Sequence, residues 1–369
     1  MIVGDIQRVF ESWAPKEIAW EKDNTGLQIG NAQKKIRKIL VTLDVNTKVI
    51  AEARRKKIDL IISHHPLLFR PLKSISTVDR TGQMVTQLIQ NDIALYSAHT
   101  NLDFSRPGVS FTLAEQLGLR EINFLVPSES VLKKIIVFVP AEYCNNVMTA
   151  MANAGAGTIG NYEQCSFQTE GTGTFLGSRL SKPFTGKAGT LEHVHEIRLE
   201  MITPSWKLQN VLTAMRHAHP YEEAAYDIYS LENRSGDHGA GAIGNLEKEM
   251  SLDSFLQRVQ QRLHVKSLRY SKGKRNRIKL VAVCGGSGSD MLHDAIRQQA
   301  DAFVTADVRY HTFQDAEERI SLIDAGHFET EQPSVKTIVN YLKNYFQKRN
   351  ERIEISASAS SRNSVQCYL

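Results

Sequence analysis

Apolar runs and apolar stripes alternate along the chain from near its start. Residues 39–43 form a short β-branched apolar run, and residues 45–57 then place Val49, Ile50 and Ala53 on one helical face. Residues 58–62 predict a second buried strand. A helix with Met84, Leu88 and Ile89 as its apolar face is expected over 81–91, a third strand over 93–97 and a helix over 108–117. Strands alternating with helices of this length predict parallel pairing in an α/β layer fold. The same alternation returns at 280–284, 291–299, 302–305, 311–318 and 320–325. An amphipathic helix over 334–349 closes it, carrying Val335, Ile338, Val339, Leu342 and Phe346 inward. The Ser- and Ala-rich residues 351–369 are expected to form a flexible tail.

The middle of the chain has another character. Between 133 and 233 the pattern reads strand (135–139), helix (145–154), two strands separated by a Gly-rich stretch, helix (206–217) and strand (224–231). That β-α-β-β-α-β order is the ferredoxin-like signature. Because it lies between two stretches that read as halves of one α/β domain, the expected organisation is an insertion. Residues 1–130 and 237–350 form the two halves of an α/β domain with parallel-type sheets, and residues 131–236 form a ferredoxin-like α+β domain inserted between them.

Composition narrows the function classes. A chain of 369 residues exceeds one ordinary core and suits two or three domains. The 45 basic and 40 acidic residues leave a net charge of +5, too small a surplus on this length to mark a nucleic-acid binder. The short basic runs at 54–57 and 272–275 read as solvated surface, the first complementing a helix C-terminus. The four cysteines are scattered without a Cys-x-x-Cys pair, which argues against a thiolate zinc site and a disulfide framework. No export signal is visible at the start, and no apolar run reaches membrane-spanning length. A cytoplasmic protein with no membrane partner is expected.

Three clusters at predicted strand ends carry the candidate chemistry. In an open parallel sheet, ligands collect outside the carboxyl ends of the strands, so distant clusters are able to meet. The first cluster is His64-His65, where Pro66 stops the ladder and two diverging rings could grip two ions. A plain pair of surface histidines is the bland reading. The second is His99 with Asp103, an imidazole beside a hard carboxylate; Asp103 could equally be a turn residue ahead of Pro107, and His99 could support a ligand rather than be one. The third is His327 with Glu331. Pro333 is best tolerated in a first helical turn, so the helix is expected to start there, with His327 at the strand end and Glu331 just before the helix, not as a pair on one helix. Together the clusters predict a mixed nitrogen and oxygen site for a pair of divalent ions. The Gly285-Gly286-Ser287-Gly288-Ser289 turn could cradle an anion with its amides, or be a plain tight turn.

Ser63-His64-His65-Pro66, His99-Thr100-Asn101-Leu102-Asp103 and Gly326-His327 with Thr330-Glu331 resemble the motifs of the GTP cyclohydrolase I type 2 homologue family. Its members are also described as dinuclear metal centre hexameric proteins, or interacting-factor-three-like proteins. The stretch 20–30, containing Asn24-Thr25-Gly26-Leu27-Gln28, is similar to the family's opening motif. So is Thr305-Ala306-Asp307-Val308-Arg309-Tyr310-His311, where the commoner pattern has Gly in place of Ala306. The resemblance implies that His64, His65, Asp103, His327 and Glu331 are the metal ligands. It further implies that Glu331 bridges the ions, that His65 and Asp103 serve one and that His64 and His327 serve the other. His99, Asp307 and His311 are implied to lie near the site. A toroidal homohexamer is implied as the assembly. The middle segment is similar to the inserted domain of some bacterial members, itself akin to the trimeric PII and CutA regulators; the match includes His219-Pro220-Tyr221-Glu222-Glu223.

A pair of ions would make the strongest reading hydrolytic, with His99, Asp307 or His311 as candidate catalytic proton carriers. The ions could be zinc, iron, manganese, cobalt or nickel. The family name implies a nucleotide substrate, although the chain lacks a Gly-x-x-x-x-Gly-Lys-Ser/Thr loop to hold a triphosphate. The alternative is a non-catalytic metal- or metabolite-sensing ring.

Overall fold

Strands Lys38–Thr42, Leu60–Ser63 and Ala94–Ser97 have almost no polar position to offer solvent, which is what a sheet covered on both faces requires. In the computed structural model, which describes residues 1–128, 131–233 and 236–368, they pair in parallel and in register. Residue 130, an expected domain boundary, and residue 369, the last of the expected tail, lie outside the described residues. The chain divides into two compact units. One is Met1–Pro127 with Gly236–Leu369, the other Ser128–Ser235.

The first unit holds two principal sheets. The five-stranded sheet has the order Gly26–Ile29, Ala94–Ser97, Leu60–Ser63, Lys38–Thr42 and Glu354–Ala357. The six-stranded sheet runs Arg269–Ser271, Ser321–Asp324, Ala302–Thr305, Arg277–Val283, Ala242–Ser251 and Leu119–Asn123. Both are mixed rather than purely parallel. Gly26–Ile29 pairs antiparallel with Ala94–Ser97, and in the second sheet Arg269–Ser271, Ala242–Ser251 and Leu119–Asn123 also pair antiparallel. The parallel core consists of the strands fed by β-α crossovers; the antiparallel strands are shorter or half-polar and left no continuous apolar run to read.

The helices form where their stripes predict them, except that in Arg80–Gln90 the buried face is Met84, Val85 and Leu88, and the expected Ile89 is exposed. Thr47–Lys56 is capped by Asn46, whose Oδ1 accepts from the amides of Lys48 and Val49 at 3.0 Å, and Arg54, Arg55 and Lys56 occupy its last turn. The closing helix Pro333–Gln347 buries Val335, Ile338, Val339, Leu342 and Phe346 in the core of the first sheet, as its stripe predicts. An unpredicted opening helix, Val3–Trp13, buries Ile6, Val9, Phe10 and Trp13 in that same core, and Trp13 donates its indole N–H to the Pro107 carbonyl at 2.8 Å.

The tail expected to be flexible is corrected over Glu354–Ala357, which adds a parallel edge strand beside Lys38–Thr42. The anchor is a buried carboxylate. Glu52 accepts from the Ser358 hydroxyl at 2.7 Å, from the Ser360 amide at 3.0 Å and from Lys56 Nζ at 2.6 Å.

The second unit runs Leu132–Pro140, Cys144–Asn153, Phe167–Leu176, Leu191–Pro204, Leu208–Ala218 and Tyr226–Ser230, in the order β-α-β-β-α-β. Its four strands form one antiparallel sheet, with the last strand beside the first and the third beside both first and second. Ile135, Val137, Ile197, Leu199 and Met201 face the two helices, where they meet Val147, Met151, Val211 and Met215.

Candidate metal centre

Ser63 and Ser97 lie opposite each other at the ends of adjacent parallel strands, so the chain leaves both strands at the same edge. His64 and His65 follow the first, and their amides still donate to Thr42 and Leu43 in strand fashion. The alternation of a strand sends the two rings apart, to a centroid separation of 4.9 Å with a 45° tilt. His99 follows the second strand, and the helical turn Thr100–Asp103 brings Asp103 back toward it. In the other sheet Thr305 and Asp324 end adjacent parallel strands, and beyond them come Asp307 and His327. The three expected clusters thus meet, although they belong to two sheets rather than one.

His327 and Glu331 correct the sequence expectation. They sit on one short helix, His327–Glu331, separate from the helix that Pro333 opens. Gly326, with φ +83°, turns the chain out of the strand into it. The i, i+4 spacing therefore does place both side chains on one face, with His327 Nε2 3.1 Å from Glu331 Oε1.

Around Glu331 the nitrogens converge. His65 Nε2 lies 2.9 Å from Oε2, and His64 Nε2 lies 3.7 Å from Oε1 and 3.6 Å from Asp103 Oδ1. His65 Nε2 and His327 Nε2 are 3.3 Å apart. Asp103 lies beside His64, and His65 lies beside both Glu331 and His327. Donor atoms of His64, His65 and His99 lie within 4.8 Å of one another, as do those of His65, His327 and Glu331. His99 thus lies beside the rings of His64 and His65.

Each ring is held from behind. Nδ1 of His64 meets the Ala98 carbonyl at 2.8 Å, and a carbonyl only accepts, so this nitrogen carries the proton. Its Nε2 then presents a lone pair toward the carboxylates and, together with Asp103 Oδ1, is buried without a hydrogen-bond partner among the described residues. His65 Nδ1 is held by Asp44 at 2.8 Å, His99 Nδ1 by Asp23 at 2.9 Å and His327 Nδ1 by Asp307 at 2.6 Å. Three imidazoles, those of His64, His65 and His327, have outer nitrogens tied to acceptors and inner nitrogens converging on acids, which matches the carboxylate-histidine arrangement of metal sites. These residues fit divalent ions.

Electrostatics point the same way. Burial alone would lower the His65 pKa, but its contacts with Asp44 and Glu331 outweigh that and push it up to about 10. Burial likewise opposes a charged His327, yet Glu331 and Asp307 raise it to about 9. Asp103 is pushed up to about 6, chiefly by burial. Burial acts against the Glu331 carboxylate, and the surrounding imidazoles hold it well below the usual range all the same. The pocket thus draws in positive charge, whether from protons or from cations.

Asp307 and His311 fare differently. Asp307 adopts φ +53°, which a short polar side chain tolerates, and its carboxylate reaches both His327 Nδ1 and the Ser287 hydroxyl. His311 is exposed and its Nδ1 meets Gln314 at 3.0 Å, not the cluster. Sequence reading missed Asp23 and Asp44 as site residues. Asp44 had the same signal as the chosen ones, since it follows a predicted strand; Asp23 lies in a loop ahead of Gly26–Ile29, and its only signal was membership of the 20–30 stretch that resembles the family's opening motif.

Three amides of the glycine turn are engaged within the protein. The amides of Gly285, Gly286 and Gly288 are already spent on the hydroxyls of Ser110, Thr330 and Thr305. Its use is steric. A Cβ on Gly286, whose φ is +64°, would overlap Glu331 Oε1, so the turn leaves room for that carboxylate.

The model of the family Duf34/NIF3 (NGG1p interacting factor 3) matches residues 1–364. A relative from Bacillus subtilis (strain 168), named GTP cyclohydrolase 1 type 2 homolog, is 45% identical over 325 residues, covering 88% of this chain and 87% of its own. One of the same name from Listeria innocua is 37% identical over 352 residues, covering 95% and 93%. The crystal structure of a Bacillus cereus protein related to NIF3 is similar with a TM-score of 0.87 at 39% identity, covering 100% of this chain and 99% of that one. A Staphylococcus aureus crystal structure gives 0.81 at 27% identity, with the same coverage.

Proposed function

The chain belongs to the Duf34/NIF3 family, and from that premise we propose that it is a hydrolase built on a dinuclear divalent-metal centre. The observation that carries the reading is the convergence of His64, His65 and His327 on Glu331, each ring oriented by an acceptor at Nδ1. In this reading His64, His65, Asp103, His327 and Glu331 would hold the ions, with His99 close enough to assist. When bound, a pair of divalent ions supplies Lewis acidity that acidifies a nearby water and polarises a substrate oxygen.

The chain's own groups do the rest. Asp44, Asp23 and Asp307 fix the tautomer and aim of His65, His99 and His327. Asp307, exposed at the surface and bonded to His327 and Ser287, is placed to pass a proton to solvent, and the geometry favours it over His311. Mixed nitrogen and oxygen donors suit zinc, iron, manganese, cobalt or nickel. The name of the Bacillus subtilis relative makes GTP the first substrate to try among nucleotides. A homohexamer, a regulatory role for the second unit like that of PII or CutA proteins, and a reducing cytoplasm that suits four free cysteines complete the proposal.

Elemental analysis of the purified protein, paired with turnover of a nucleotide panel, tests it. The expected result is two divalent ions per chain and a hydrolytic product that His65→Ala abolishes. Turnover undiminished in His65→Ala overturns the catalytic site, and metal without turnover turns the reading toward a sensor.

A further inference from the structure

The unit Ser128–Ser235 contains a cavity of about 680 Å³ lined wholly by its own residues. That size is within the range of small-molecule sites, roughly 300–1,000 Å³. Strand Leu191–Pro204 turns Ile197, Leu199 and Met201 into the core, so Glu196 and Arg198 come to the opposite face of the sheet, where they line the cavity. A carboxylate on such a face is ordinarily solvated. Glu196 is only 9% exposed.

The neighbouring strand is shaped to allow this. A Cβ on Gly173 would overlap Glu196 Oε2, so a glycine there lets the carboxylate lie across the strand. Aromatic rings line the rest, with Phe184 half exposed at its edge. Tyr221, from the His219-Pro220-Tyr221 segment, has Phe175 at 6.4 Å and Phe184 at 6.1 Å between centroids. The buried Tyr221 hydroxyl sits beside Glu196, and burial together with that carboxylate pushes its pKa up.

Charge in the cavity is one-sided. Glu196 has no ion-pair partner among the described residues, although a buried carboxylate is costly unless paired. Arg198 is the one basic side chain in the lining, and its Nε is engaged by Glu200 at 3.0 Å. The three other lining acids, Glu170, Glu222 and Glu223, are exposed; Glu222 accepts from the Lys182 amide at 3.0 Å and Glu170 lies 3.7 Å from His195. A small divalent ion would want several oxygens at once, and the enclosed part offers a single carboxylate. Aromatic faces beside a lone buried carboxylate recognise instead an organic cation, through ring quadrupoles and one ion pair.

We propose that this cavity binds an organic ammonium compound, its cationic head at Glu196 and its apolar body against Phe175, Phe184 and Tyr221. Isothermal titration of the full-length protein with three indoles of graded charge tests it: tryptamine, its neutral N-acetyl derivative and the anion indole-3-propionate. Tryptamine is expected to bind at least about ten-fold more tightly than the neutral compound, with the anion weakest. Glu196→Gln and Gly173→Ala should each bring tryptamine down to the neutral level, and His65→Ala should leave its binding unchanged. Equal binding of the three indoles, no binding of any at millimolar concentration, or full tryptamine affinity in Glu196→Gln overturns the proposal. The charge series on the unmutated protein decides the matter even where a variant fails to fold.

Discussion

His65 and His327 face each other through their Nε2 atoms at 3.3 Å, although 262 residues of chain separate them. Behind them Asp44 and Asp307 hold the opposite nitrogens, and between them lies the nearly buried Glu331. Without metal the raised pKa values make both rings cationic, so like charges face each other across one carboxylate; a divalent ion would displace those protons and engage both nitrogens and the carboxylate at once.

Stability should therefore respond to metal. Zinc added to chelator-stripped protein should stabilise it by about 2.7 kcal/mol once free zinc reaches a hundred times Kd. Thermal melts with and without zinc measure the gain. Glu331→Gln, which keeps the shape and removes the charge, should lose most of it; an equal gain in the variant would place the zinc elsewhere.

The aspartates behind the rings should matter nearly as much as the rings. Asp44→Ala and Asp307→Ala remove the acceptor that orients His65 and His327, and each should weaken metal affinity by about 10- to 100-fold. Competition with a chromophoric chelator reads this directly. Affinity unchanged in both would mean that the orientation of the imidazoles is set by packing alone.

Gly286 should tolerate no side chain. Gly286→Ala combines a positive φ with an overlap onto Glu331 Oε1, at a cost of about 1–3 kcal/mol in stability and a displaced carboxylate. Metal stoichiometry in the folded variant should fall below that of the wild type. Full stoichiometry would show that Glu331 has room the present geometry denies it.

Glu52 should make the anchoring of the C-terminal strand acid-sensitive. Burial works against its carboxylate, but Lys56, Ser358, Ser360 and the Ala359 amide outweigh that and hold its pKa down to about 2, from an ordinary 4.5. A depressed carboxylate contributes stability that is present above the unfolded pKa and is lost as pH falls through the folded one. The window runs from 4.5 down to about 2. Glu52→Gln should thus cost about 1.5–3 kcal/mol at neutral pH and progressively less below the window's upper edge. Urea unfolding at a series of pH values checks this, and a pH-independent difference would sink it.

Much of this was legible without coordinates. The stripes of Thr47–Lys56 and Pro333–Gln347 and the apolar runs at Leu60–Ser63 and Ala302–Thr305 predict their elements, because burial on one or two faces writes a period into the chain. Strands such as Gly26–Ile29 were missed because, half-buried along their length, they carry no such period. The segment around Glu354–Ala357 was misread because its stability comes from Glu52, about three hundred residues away, and not from its own composition.

The residue types of the centre were determined by sequence alone: histidines and acids stand where strands end, and a chain leaving a parallel sheet delivers its side chains to that edge. The tertiary structure alone decided which of them share a face, that His327 and Glu331 ride one helical turn, and that Asp23 and Asp44 stand behind the rings. Those contacts span 76 residues for His99 and Asp23 and 21 for His65 and Asp44. Nothing in the local energetics of either partner depends on the other until the sheets have formed, so the pairing itself leaves no mark in either stretch of sequence.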